Sequence, residues 1–372
     1  MESTAVKKRR SRLLGWAINL AGILAFALIL YLGGVEAWQQ VLGGDWRYVL
    51  AALAVTGLWN LLAAYRWATI AREMVGQASI PFRHYVTYHM IGMFAGQVLP
   101  ITVGMLGGRP AALSLAQGVP LRRSGLSVFL DKVFDLALAL LLVVPTGLYL
   151  VDWISLPLAL GSMVGMAALG SLLVAWKYES ALKLAGRAGS RLVKPLGRLP
   201  LVGRRLVQRL PGQMERLATD TFLPNRQALR AYLLTLVMYS LLSARLFFVA
   251  QALHLDIPWY ILAMGLCVTQ LTLIFSVTPG SLGFLEGGWA AVLGLAGLGL
   301  DQWTTFVIGR RAYLLVFTVL YTLLAFAWIR ESPAHLFRQV FAASQETGTG
   351  QGQRPAAQPT SPPAGTEPSE MA

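Results

Sequence analysis

Apolar positions along this chain come in runs too long for a water-facing fold. Six stretches, at 13–32, 48–70, 126–150, 154–176, 229–253 and 303–329, reach the roughly 20 residues that a helix needs to cross the hydrocarbon of a bilayer. Basic residues precede the first stretch, as in a signal peptide. Its apolar part is longer than a signal core, so it reads as a membrane helix.

Two further apolar regions, 85–117 and 260–299, are interrupted at "LPITVGMLGGRP" (99–110) and "TPGSLGFLEGG" (278–288). Proline removes an amide donor and glycine favours non-helical backbone. Irregular backbone survives at membrane depth only where protein or a water-filled cavity satisfies it. Each region is therefore predicted to be a broken hairpin that enters the membrane and returns to the same side. The expected fold is an all-α polytopic membrane protein, with six spanning helices and two opposed re-entrant hairpins in one membrane domain, 13–332.

Composition agrees: 56% of the 372 residues are hydrophobic and 13% charged, with a mean hydropathy of +0.58. Soluble domains carry about a quarter charged residues. The net charge of +14 raises nucleic acid as a partner, but its placement argues for a membrane. Lys7, Lys8, Arg9, Arg10 and Arg12 sit in a basic N-terminus (1–12). Twelve basic residues from Lys177 to Arg230 face only Glu179, Glu215 and Asp220 in a basic loop, 177–228 and its edge. The positive-inside rule makes both segments, and the C-terminus after Arg330 and Arg338, cytoplasmic. The turn 33–45, Asp152, Asp256 and Asp301 then lie outside. The first hairpin opens to the cytoplasm and the second outward. Lys183, Arg187, Arg191 and Lys194 share one helical face, which fits either a helix on the inner leaflet or a solvated loop. From 344 to 372 the chain has nothing to bury and is expected to be disordered.

An offset of 179 positions superposes the two hairpins without gaps. Pro100 meets Pro279, Gly104 meets Gly283, Leu106 meets Leu285 and Gly108 meets Gly287. Arg66 meets Arg245 in the helix before, and Asp131 and Lys132 meet Arg310 and Arg311 in the helix after. The chain thus reads as two units of helix, hairpin and helix, at about 47–150 and 229–329. By the charge rule they have opposite orientations. Inverted repeats with broken helices meeting near the midplane are a common build of alternating-access transporters.

Ionisable residues inside spans are costly and mark candidate sites. Arg66, near the cytoplasmic end of its span, either snorkels or functions. Arg245 lies about eight residues, or roughly 12 Å, from the outer end of its span, where snorkelling is harder. Arg310 and Arg311 are placed one to two turns below the outer surface, within reach of Glu286 at the second hairpin tip. Asp131 and Asp135 share a face, with Lys132 able to pair with Asp135. They form either a salt-bridge lock or a proton relay. Gly107 and Gly108, beside Arg109, either expose amides that bind anions or permit tight packing. Cys267 alone excludes an internal disulfide, and His84, His89, His254 and His335 lack metal-ligand spacing. No metal, cofactor or enzymatic chemistry is expected.

The hairpins "MFAGQVLPITVGMLGGRPAAL" and "FSVTPGSLGFLEGG", with the following "GRRAY", make the chain resemble the flippase-like lysylphosphatidylglycerol synthase transmembrane family over about 10–332. The family's Pro-Gly-x-x-Gly-x-x-Glu is matched at Pro279, Gly280, Gly283 and Glu286, and its Gly-Gly-Arg at Gly107, Gly108 and Arg109. The resemblance implies a bacterial inner-membrane protein that moves a lipid between leaflets. Full synthases append a soluble aminoacyl-transfer domain, where this chain is expected to carry a disordered tail. The arginines favour an anionic headgroup, such as a phospholipid or polyprenyl phosphate. Two other functions stay open: an ion-coupled transporter of a soluble solute, and a membrane subunit anchoring an envelope-synthesis partner.

Overall fold

The computed structural model describes residues 26–75, 80–99, 101–196, 223–275 and 278–329, with Leu20, Ile23 and Leu24. The helices are α1 (Phe26–Leu42), α2 (Trp46–Val75), α3 (Phe82–Val98), α4 (Ile101–Gln117), α5 (Leu121–Leu150) and α6 (Leu156–Leu196). They continue with α7 (Asn225–Ala252), α8 (Trp259–Phe275), α9 (Phe284–Leu295) and α10 (Leu300–Ile329). Among the described residues, five helical stretches are long and apolar enough to cross a membrane: α2, α5, Leu156–Trp176 of α6, α7 and α10. A helix of 30 residues, such as α5, is about 45 Å long and crosses with length to spare. Prolines set several starts, since Pro81, Pro120 and Pro224 stand immediately before α3, α5 and α7.

Several expected boundaries move. Half of the first expected span, 13–32, lies outside the described residues. Its helix runs on to Leu42, so the turn expected at 33–45 shrinks to three residues. The extension is held because Ala37 and Val41 are buried, and Gly33 lets α1 approach Ile308 of α10 closely. The basic loop also starts later than expected. Helix α6 continues from Trp176 to Leu196, through a stretch of good helix formers that meets no proline before Pro195. The basic face of Lys183, Arg187, Arg191 and Lys194 therefore falls on α6, with side chains outside the described residues. The segments 1–12, 197–222 and 344–372 lie outside them as well.

The two regions expected to be hairpins are each a pair of helices, with narrower breaks than expected. In the first, Ile101 to Pro110 is helical, with Pro110 inside α4, and α3 ends at Val98, just before Leu99. Glycine explains why α4 stays helical there. Gly92 and Gly96 on α3 face Gly108 and Gly104 on α4, so the backbones touch where side chains would collide. In the second hairpin Gly287 and Gly288 are helical within α9, and the irregular stretch ends at Gly283.

Helix order repeats along the chain. The offset of 179 carries Trp46 onto Asn225, and carries Leu121 and Leu150 onto Leu300 and Ile329, the bounds of α5 and α10. Helices α2 and α7 form the most extensive contact and run antiparallel. Glu73 near the end of α2 accepts from Gln227 near the start of α7 at 2.7 Å. At the opposite end Tyr48 stacks on Phe248, and the Asp45 amide donates to the Ala252 carbonyl. The halves also exchange packing, since α5 lies against α8 and α10 against α3. Arg72, Arg83, Arg122, Arg123, Arg226 and Arg230 gather where α2 ends and α3, α5 and α7 begin. Asp45, Asp152, Asp256 and Asp301, with Arg47, gather at the other end.

Candidate functional site

In the first half, α2 and α5 are joined by a buried ion network. The Arg66 Nε donates to Asp131 Oδ1 at 2.8 Å, and Nη1 to Asp135 Oδ1 at 2.6 Å and Thr235 Oγ1 at 2.6 Å. Its Nη2 donates to the Asp131 carbonyl at 3.2 Å. Arg109 from α4 reaches Asp131 Oδ2 at 3.1 Å and lies over the Trp67 ring, 5.7 Å from its centroid. Lys132 Nζ completes the set at 2.8 Å from Asp135 Oδ2. Arg66 has no solvent-exposed surface, which rules out snorkelling. The spacing of Asp131 and Asp135, one helical turn, is what lets both carboxylates meet one guanidinium. These ion pairs have the geometry of a lock between helices, and removing a single partner from such a buried set costs about 3–5 kcal/mol.

In the second half the charges are arranged differently. Thr278 to Gly283 forms a tight turn, with Gly280 at φ +59° and Gly283 at φ +82°, in the left-handed region that glycine tolerates. Glu286 folds back over that turn, its Oε2 accepting the Gly283 amide at 2.9 Å. Its Oε1 stands 3.5 Å from Arg311 Nη1, which also donates to the Gly280 carbonyl at 2.7 Å. The Gly280 amide in turn donates to the Leu99 carbonyl at 2.9 Å, so the two hairpin tips are bonded to each other. Arg311 lies eleven residues into α10, about 17 Å along it, so the tips meet well inside the helix bundle. Arg310 points elsewhere, over the Trp289 ring at 5.8 Å from its centroid.

Beside the joined tips lies a cavity of about 390 Å³ with walls from both halves. Most of the wall is apolar, including Met93, Met105, Met238, Leu242, Leu266 and Trp289. Four charged side chains enter it: Lys132, Asp135, Arg245 and Arg310. Lys132 and Asp135 face each other, whereas Arg245 and Arg310 have no carboxylate within 4 Å among the described residues. Two guanidiniums without a carboxylate within 4 Å among the described residues thus line an apolar chamber, the kind of intramembrane charge that marks a candidate site.

The family described as the lysylphosphatidylglycerol synthase TM region matches residues 16–322. The chain belongs to this family. It is accordingly a multi-pass membrane protein with a function connected to membrane lipids. No curated protein matches the chain.

Within this member of the lysylphosphatidylglycerol synthase TM region family, the residues singled out from sequence divide into three groups. Arg245 and Arg310 enter the cavity, with Lys132 and Asp135 at its edge. Arg66, Arg109 and Asp131 are tied into the lock, and Arg66 is engaged by protein carboxylates instead of facing the chamber. Gly280, Gly283, Glu286 and Arg311 build the second tip, with Pro279 opening its turn. Gly107 and Gly108 do not expose amides at a break, because both lie inside α4; Gly108 packs near Gly92. Arg310 and Arg311 also sit deeper than expected, nearly three turns into α10, because that helix begins at Leu300. Sequence reasoning missed Thr235, Trp289 and Gln97. Thr235 had a signal, since the offset that pairs Arg66 with Arg245 also pairs Thr56 with Thr235. Trp289 and Gln97 are ordinary residues of apolar helices until the fold turns them to the chamber.

Proposed function

We propose that the chain moves a lipid with an anionic headgroup between the leaflets of a bacterial inner membrane, without catalysing a covalent reaction. The observation that carries this reading is the apolar cavity at the joined hairpin tips with two unpaired arginines, Arg245 and Arg310, in its wall. The apolar wall suits acyl or isoprenoid chains, and the guanidiniums suit a headgroup charge. The antiparallel α2 and α7, with the exchanged packing of α5 and α10, support an inverted repeat of two helix–hairpin–helix units. In such a build the two units exchange shapes and expose one site to each side in turn. The gathering of arginines at one end and aspartates at the other supports a cytoplasmic face at the α2 C-terminus, with both chain termini on that side. Outward passage of one negative charge is favoured by about 2.3 kcal/mol per 100 mV, so the membrane potential alone supplies a driving force.

Purified protein in liposomes should accelerate transbilayer movement of fluorescent phosphatidylglycerol. Arg245→Ala and Arg310→Ala should each slow it by about tenfold or more while leaving the protein folded, since each removes a charge-assisted contact. If the wild type moves no lipid under any imposed potential while a soluble solute crosses, the protein is an ion-coupled transporter. Loss of neither activity in cells lacking the hairpin tips would point to the anchoring subunit. Sidedness has its own check. In a Cys267→Ser background, Gln302→Cys should react with an impermeant thiol reagent in intact spheroplasts, and Arg226→Cys only after lysis.

A further inference from the structure

The two halves place the same residue, arginine, at the same helical position, and only one half supplies its counter-charge. The offset of 179 carries Arg66 onto Arg245, Asp131 onto Arg310 and Asp135 onto Leu314. Where the first half holds two carboxylates around a guanidinium, the second has a second guanidinium and a leucine. Arg245, Arg310 and Leu314 all line the cavity. Arg245 and Arg310 thus place two like charges in the wall of one cavity.

Among the described residues no carboxylate stands within 4 Å of either guanidinium, although the Glu286 charge attracts Arg310 across a longer distance. Glu286 is turned toward the Gly283 amide and Arg311, and Asp135 is held by Arg66 and Lys132. Two like charges in low dielectric are an expensive arrangement to maintain. An anionic ligand placed between them in the cavity would relieve it.

We infer that Arg245 and Arg310 form a subsite for a dianionic phosphate monoester carried on a lipid tail. A phosphodiester, with one charge, balances only one of the two guanidiniums. A phosphomonoester carries close to two charges near neutral pH and has three oxygens free to meet two guanidinium forks. The Trp289 ring under Arg310 and the apolar wall of Leu242, Leu246 and Leu266 leave the remaining space to hydrocarbon. This inference takes the lipid character of the tail from the translocation reading, and the phosphate selectivity from the charge arrangement.

The test uses the full chain in nonionic detergent at about pH 8, where the monoester is largely dianionic. Isothermal titration compares dihexanoyl phosphatidic acid, dihexanoyl phosphatidylglycerol and inorganic phosphate. Phosphatidic acid should bind about tenfold or more tightly than phosphatidylglycerol, because the second guanidinium is engaged only by the monoester. Arg245→Ala and Arg310→Ala should each remove that preference. Leu314→Asp should do the same by supplying the carboxylate of the first half. Arg245→Lys and Arg310→Lys keep the charge without the fork and should lose part of the preference, which covers the event that an alanine variant fails to fold. Arg47→Ala, on the exposed start of α2, should bind like wild type.

Equal affinity for the two lipids, or a preference that survives in folded variants of both arginines, would overturn the subsite. Inorganic phosphate binding as tightly as phosphatidic acid would assign it to a soluble anion and overturn its lipid character. Phosphatidylglycerol movement without monoester preference sinks this inference alone. Monoester preference without any lipid movement sinks translocation and leaves the subsite standing.

Discussion

Arg66 and Arg245 occupy equivalent positions on α2 and α7, two helices packed antiparallel, and yet they meet opposite surroundings. Arg66 is enclosed by Asp131, Asp135 and Thr235, with Arg109 and Lys132 completing the network. Arg245 faces a cavity and has no carboxylate within 4 Å among the described residues. The difference teaches that the same residue at the same helical position is locked by carboxylates on α2 and left to a cavity on α7. A buried pair that satisfies its own charges holds helices together. A buried cation without a partner is tolerated only where water or a ligand reaches it.

The largest expected contrast comes from removing one charge in each half. Asp131→Asn leaves Arg66 and Arg109 with a neutral partner in a dry interior and should cost about 3–5 kcal/mol of stability. Arg245→Met removes a cation that no protein group balances, so its thermal stability in detergent should equal or exceed that of wild type. Thermal unfolding of both variants, followed by circular dichroism, checks the pair. Equal losses in the two would mean that Arg245 has a structural partner of its own, and the contrast between halves would collapse.

A smaller contrast lies within the first hairpin. A Cβ on Gly104 would overlap the backbone of Gly96, so Gly104→Ala should force α3 and α4 apart at a cost of about 1–3 kcal/mol. Gly107 meets nothing within 4 Å, and Gly107→Ala should leave the fold intact or stabilise α4 by about 0.5–1 kcal/mol. Melting temperatures should therefore move in opposite directions. Loss of lipid movement in a normally stable Gly107→Ala protein would restore a binding role to that glycine, which its place inside α4 argues against.

Much of the architecture was legible in the sequence because a bilayer imposes a simple demand. A helix must present about 20 apolar residues, and the apolar runs that begin at 48, 126, 154, 229 and 303 correspond to α2, α5, α6, α7 and α10. The hairpins were legible as regions because proline and glycine cluster there. Their breaks were overestimated because glycine has two uses that sequence does not separate. At Gly280 and Gly283 it permits positive φ, whereas at Gly104 and Gly108 it permits close helix packing with the helix unbroken. The start of the basic loop was hidden for another reason, since its charged residues are good helix formers and continue α6 to Leu196.

Sequence by itself determined the membrane class, the extent of the long apolar helices and the short list of buried charges, since each follows from local composition. Which charge meets which was decided by tertiary structure alone. Asp131 and Asp135 are separated from Arg66 by 65 and 69 positions, and Thr235 by 169. Only the packing of α2 against α5 and α7 brings them within hydrogen-bond distance. The same packing leaves Arg245 and Arg310 facing a cavity, because α10 carries Arg310 and Leu314 where α5 carries its two aspartates.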